Sequence, residues 1–213
     1  MSTRADPEDM GSSVSEVAQH SVSRYDCVTQ LAHWTTLLIL IATFATVWLI
    51  RYADTREQVD QLVQLHRSLG LTVLCVTAFR LMWRRAARVP PLPEDTPWAQ
   101  RVAARTNEYA LYALLLAQPV LGFLHSSARG EAVVVYVLGT VPPLLAPDRV
   151  LARQLLMAHD SVAKLLLALI ALHVAAALFH HFVLRDDVLW RMLPGRIARR
   201  AEANAKDPRN VAR

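Results

Sequence analysis

Four long apolar runs, separated by polar or Pro-rich stretches, set the pattern of this chain. The first covers residues 31–50, has WTTLLILIATFATVWLI as its body and contains no Gly or Pro. The second, residues 65–83, reads LHRSLGLTVLCVTAFRLMW. It is short, and Arg67 and Arg80 lie near its ends, where long basic side chains can reach an interface. The third, residues 109–124, is YALYALLLAQPVLGFL, in which Pro119 and Gly122 should kink the helix or loosen its packing. The fourth is the longest. With no Pro or Gly between Pro147 and Pro194, one helix can start near Asp148, enter a membrane near Val162 and leave near Leu184. A hydrocarbon core about 30 Å thick takes about 20 helical residues. The pattern therefore predicts an all-α, integral membrane four-helix bundle.

The connections agree with this. Residues 84–100 form a Pro-rich stretch without apolar periodicity. The segment VVVYVLGTVPPLLAP between the third and fourth runs is apolar but broken by Gly and Pro. It should fold over one end of the bundle, a re-entrant fifth segment being the alternative. Residues 1–24 are polar and mixed in charge and lack the basic start, apolar run and cleavage site of a signal peptide. They are expected to be a disordered N-terminal tail. The membrane domain should then occupy 25–194 and a basic C-terminal tail 195–213. The N-terminal tail, residues 84–108 and the residues after 184 hold 15 of the 23 Lys and Arg. The excess of basic residues there puts both termini on the cytoplasmic side.

Composition sharpens the class. The chain is 54% hydrophobic with a mean hydropathy of +0.24. Only 19% of its residues are charged, against about 25% in ordinary soluble domains. The formal charge of +5 sits in the tail and one connection, with no basic stripe interleaved with aromatics. Membrane lipid is thus an expected partner and nucleic acid is not. Cys27 and Cys75 form no CxxC or CxxCH, which excludes the usual covalent haem attachment. Both are read as small apolar filler.

The candidate chemistry lies in the eight histidines. His20 in the tail and His125 at the end of the third run are read as unligated. The others sit in or at the ends of apolar helices, where ionisable groups are costly and usually functional. Any one of them could be a helix–helix hydrogen bonder; the argument comes from the set. His159 and His173 are 14 residues apart, about 21 Å and nearly four turns, so they share a face at two depths. His66 opens the second run at the end of the bundle where His159 lies, and His33 opens the first run at the other. Two layers result: His66 with His159 outside, His33 with His173 inside. Each offers two imidazoles from different helices, as six-coordinate haem requires, in the usual place for a bundle site. With both axial positions filled, such a site suits one-electron transfer. A small zinc or copper ion wants clustered ligands that four-turn spacing does not supply. A proton relay stays open, and so does one choice of residue. His180, two turns beyond His173, matches the depth of His33 as well as His173 does. With His181 and Arg185 it reads otherwise as a cluster at the cytoplasmic surface.

Several strings now fall into one order: RYDCVTQLAHW, LHRSLGLTVL with RLMWR, LYALLLAQPVLGFLHSSARG, VPPLLAPD, and AHDSVAKLLLALIALHVAAALFHHFVLRDDVLWRMLP. Together, over residues 24–194, they resemble the bacterial cytochrome b561 family. The resemblance implies a di-haem bundle in the bacterial inner membrane with two haem b. It gives ligand roles to His33, His66, His159 and His173, paired His33 with His173 and His66 with His159, and so decides against His180. Family members often have Glu where this chain has Asp160. Arg67, Arg80, Arg84 and Lys164 are candidates to meet haem propionates through charge-assisted hydrogen bonds, with snorkelling or topology as their other use. The resemblance also implies an electron-transfer oxidoreductase exchanging with quinone. Its outer electron donor is unidentified, superoxide among the candidates. Two other readings compete. One is a haem-bearing membrane anchor for a partner dehydrogenase or hydrogenase. The other is a haem-free transporter, which would need helices broken at midmembrane, for which Pro119 and Gly122 are the only hint.

Overall fold

Each apolar run becomes a helix longer than itself, and polar flanks supply side-chain N-caps to three of the four. The computed structural model describes residues 24–87, 89–90, 96–136 and 139–195; the remainder of the two expected tails lies outside the described residues. Helix α1, Cys27–Leu49, continues in a 3-10 turn, Ile50–Tyr52. Its N-cap is Asp26, whose carboxylate accepts from the Thr29 N–H at 3.0 Å and from the Thr29 hydroxyl at 2.6 Å. Helix α2, Arg56–Ala86, starts in a capping box formed by Thr55 and Gln58 and ends with Arg84 and Arg85 at its negative pole. Helix α3, Trp98–Ala128, runs unbroken through Pro119. Helix α4, Arg149–Phe179, is capped by Asp148, which accepts from the N–H groups of Val150 and Leu151. All four are long and apolar enough to cross a membrane. The second and third exceed the runs 65–83 and 109–124 by one to three turns. Hydropathy registers only the lipid-facing stretch, whereas a helix continues until its caps stop it.

The helices pack in chain order, α1 on α2, α2 on α3 and α3 on α4, while the backbones of α1 and α4 hardly approach each other. The outer faces carry Leu31, Leu38, Ile41, Trp48, Leu165, Leu172 and Phe179, all exposed. In lipid this is their proper solvent. Few side chains are fully buried, since packing between helices rather than escape from water holds such a bundle together. Its central cluster is Val73, Leu115 and Leu166 with Ile39, Leu40, Leu111, Leu114 and Ile170 around them. Several helix hydroxyls bond the preceding turn, Thr36 to Ala32 O at 2.7 Å and Thr43 to Ile39 O at 2.7 Å, whereas the buried Thr77 hydroxyl has no partner among the described residues. The two cysteines, read as small apolar filler, lie on the surface of the bundle. Both are exposed: Cys27 opens α1, and Cys75 lies on the outer face of α2.

Both described ends of the chain lie at one end of the bundle, the terminal end. There α4 closes in a π turn, His180–Leu184, and Arg185 takes a left-handed conformation (φ 54°) that turns the chain back into a short helix α5, Val188–Met192. Three bonds tie this return to α1. The Tyr25 N–H donates to Arg191 O at 3.2 Å, Gln30 Nε2 to the same oxygen at 3.1 Å, and Trp34 Nε1 to Met192 O at 3.0 Å. At the opposite end, the expected apolar overlay is a two-stranded antiparallel hairpin and not a re-entrant span. Its strands are β1, Val133–Val135, and β2, Gly139–Val141, with Val133 opposite Val141. Val133 and Val135 are buried, and the Tyr136 N–H donates to Ser68 Oγ on α2 at 3.1 Å.

Candidate functional site: two histidine layers in the bundle core

The fold brings four of the sequence-identified histidines together in two pairs. At the hairpin end, His66 on α2 faces His159 on α4 with ring centroids 6.2 Å apart and planes at 78°. At the terminal end, His33 on α1 faces His173 on α4 with centroids 6.3 Å apart and planes at 55°. The apolar cluster lies between the pairs: Leu166 is seven residues from both His159 and His173, and Val73 is seven from His66. His180 does not join the terminal-end pair. Its Nδ1 lies 2.5 Å from Asp186 Oδ2, while His181 meets the edge of Trp190. His125 stands apart, its Nδ1 2.9 Å from Ala152 O. His20 lies outside the described residues.

Hydrogen bonds fix the tautomers of the hairpin-end pair. His66 Nδ1 lies 3.1 Å from Thr43 O and 3.1 Å from Thr46 Oγ1. A carbonyl can only accept, so Nδ1 carries the proton; the Thr46 hydroxyl spends its own proton on Thr43 O at 2.6 Å and is free to accept. His159 Nδ1 donates in the same way to Gln118 O at 3.1 Å. Each ring therefore presents an unprotonated Nε2, the state a metal requires. The terminal-end pair is held differently. His33 Nδ1 lies 3.3 Å from Arg80 Nη2, its ring meets Trp34 edge-on, and His173 has ring contact with His33 alone among the described residues.

Both pairs fit a porphyrin iron held from two sides. With an imidazole–metal bond of about 2 Å and a ring centre about 1 Å behind its nitrogen, two axial imidazoles stand with centroids about 6 Å apart. The surrounding helix surface is shaped to match. A Cβ on Gly122 would stand 3.0 Å from His159 Cε1, so any side chain there would press on the ring. Gly70, one turn along α2 from His66 on the same stripe, has nothing within 4 Å of where a Cβ would stand. By contrast, no group of three or more His, Cys, Asp or Glu converges among the described residues, so a lone small ion finds no closed site. Sequence reading missed the seats at Gly122 and Gly70 and the acceptors Thr43, Thr46 and Gln118. The one available signal was the spacing of Gly70 four residues after His66.

The basic candidates for propionate contact divide three to one. Arg67 is ion-paired with Glu131, which also takes Arg129 at 2.7 Å. Arg84 is paired with Glu108, with Nη2 3.0 Å from Oε2. Lys164 pairs with Asp160 at 2.6 Å, both side chains well exposed. Arg80 alone of the four has no carboxylate partner among the described residues; it holds Thr36 Oγ1 at 3.3 Å and lies over the Tyr112 ring at 5.4 Å.

Fold and site together define a multi-pass membrane protein whose core carries stacked histidine pairs, the architecture of a b-type membrane cytochrome. The family model for prokaryotic cytochrome b561 matches residues 24–195. The chain belongs to that family, whose members bind b-type haem and transfer electrons in membranes. It is 33% identical over 172 residues to Cytochrome b561 homolog 2 of Escherichia coli (strain K12), covering 80% of this chain and 91% of that one. It is 28% identical over 172 residues to the Probable superoxide oxidase CybB of Yersinia pestis, covering 80% and 96% respectively. Cytochrome b561 homolog 1 of Escherichia coli (strain K12) matches at 28% over 176 residues, 82% of this chain and 99% of the other.

Proposed function

We propose that this protein carries two b haems, one between His33 and His173 and one between His66 and His159, and passes single electrons across the bacterial inner membrane. The observation that carries this reading is the pair of centroid distances, 6.3 and 6.2 Å, each spanning two helices at a different depth. Bound haem supplies one-electron iron chemistry. The chain's own part is to hold each ring. Thr43 and Gln118 orient the hairpin-end imidazoles through Nδ1, and two histidines at each site would hold a bound iron from the protein side and leave oxygen no ready place on it. The Val73–Leu115–Leu166 layer keeps the path between the pairs dry. Both termini are cytoplasmic, so the His66–His159 pair lies toward the outside. The electrons are exchanged with the quinone pool, and the name of the Yersinia relative makes superoxide the outer donor to try first.

The test is a reduced-minus-oxidised spectrum with haem quantification on the purified full-length protein and on each His→Ala variant. His33→Ala and His173→Ala should remove the same haem, and His66→Ala and His159→Ala the other. His180→Ala should remove neither. Loss of a haem in His180→Ala with retention in His173→Ala overturns the pairing. Failure of the two-haem protein to reduce a soluble quinone from a superoxide source overturns the proposed reaction.

A further inference from the structure

We infer that Arg80 sets the electrical difference between the two layers, raising the reduction potential of the site at His33 and His173 above that at His66 and His159. The inference rests on the reading of these pairs as haem ligands. Its first support is position. The guanidinium lies 3.3 Å from His33 Nδ1, half-buried in the bundle, with no carboxylate partner among the described residues. The nearby carboxylate, Glu108, is ion-paired with Arg84, and its charge also reaches Arg80 and His173, so it offsets part but not all of the two guanidinium charges there. Oxidation of a haem adds one positive charge to the site. A fixed cation a few ångströms from a ligand ring, shielded from water, therefore disfavours the oxidised state.

Arg80 does not depend on His33 for its place. A guanidinium only donates, so in the observed contact Nδ1 accepts and the ring proton is on Nε2. If His33 binds iron through Nε2, the proton moves to Nδ1 and that bond is lost. Thr36 Oγ1 and the Tyr112 face remain, and Thr36 Oγ1 can accept because its own proton goes to Ala32 O. The charge stays beside the ring in either state.

The hairpin-end pair is biased the other way. Arg67 adjoins His66 in sequence, but Glu131 takes its charge. Arg129, the second cation there, shares that carboxylate and is 55% exposed. Both rings donate Nδ1–H to backbone carbonyls, which makes an imidazole a stronger electron donor and favours ferric iron. An electron arriving at the hairpin end would then run downhill toward the terminal end.

A potentiometric titration of the purified holoprotein, followed at the haem absorbance bands, tests this. The wild type should titrate in two resolved steps. In Arg80→Gln both haems stay bound, and the higher step falls by at least tenfold in reduction equilibrium, about 59 mV for one electron; the lower step stays in place. Arg80→Lys, which keeps the charge, should restore most of the difference. Should Arg80→Gln not fold, the single-haem proteins decide. The haem left in His66→Ala must titrate above the haem left in His33→Ala. Two bound haems with unmoved potentials in Arg80→Gln, or the reverse order in the single-haem proteins, overturns the inference. A wild type with fewer than two haems, or a His33→Ala protein that keeps both, overturns the ligand reading itself.

Discussion

The two histidine layers use the same residue type at nearly the same separation, yet the protein supports them by opposite means. At the hairpin end each ring is fixed by a main-chain oxygen, Thr43 O for His66 and Gln118 O for His159, and the nearby cation is neutralised by Glu131. At the terminal end no carbonyl among the described residues orients either ring, and a guanidinium with no carboxylate partner among them stands 3.3 Å from His33 Nδ1. Matched histidine pairs can therefore differ in surroundings through their neighbours alone.

The largest break in this comparison should come from Gly122→Val. A side chain there collides with His159, so haem content should fall by about one per chain while the terminal-end haem keeps its spectrum. Unchanged haem content would show that the glycine seat is dispensable. His180→Ala comes next. Loss of the Asp186 contact should lower stability by about 1–2 kcal/mol, read as a lower melting temperature in detergent with both haems bound. Glu131→Gln should cost under about 1 kcal/mol, as partly exposed pairs do. Burial alone would raise the Glu131 carboxyl, but the Arg67 hydrogen bond and charge, helped by Arg129, outweigh it and hold it below the usual range. The stabilisation is thus complete at neutral pH. It is lost as pH falls through that depressed value, and the Gln variant should show no such loss in a pH series of melting curves. Thr46→Val should be smallest. His66 keeps Thr43 O, so only a few tenths of a kcal/mol and a minor shift of the lower potential are expected in titration.

Much of this was legible in the sequence for a simple reason. Lipid demands apolar length and helices repeat every 3.6 residues, so the runs and the 14-residue spacing of His159 and His173 are read directly. Helix ends were less legible, although Thr55 with Gln58 and Asp148 before Val150 are capping signals that hydropathy does not weigh. The choice between His173 and His180 lay beyond spacing, because it depends on a π turn and on Asp186 folding back. Ion pairing was equally out of reach. Arg67 and Glu131 are 64 residues apart, and nothing local separates their fate from that of Arg80.

The near absence of backbone approach between α1 and α4 has a topological result. Every described connection joins neighbours in the row: residues 53–55 link α1 to α2, and the connection from α3 to α4 carries the hairpin that rests on α2. No described loop bridges the side between the first helix and the last. Among the described residues it is crossed by the His33–His173 ring contact and, at one edge, by the bonds of the α5 return to Tyr25, Gln30 and Trp34. Along that side the bundle is held by side chains and by the α5 return, and not by a described connecting loop.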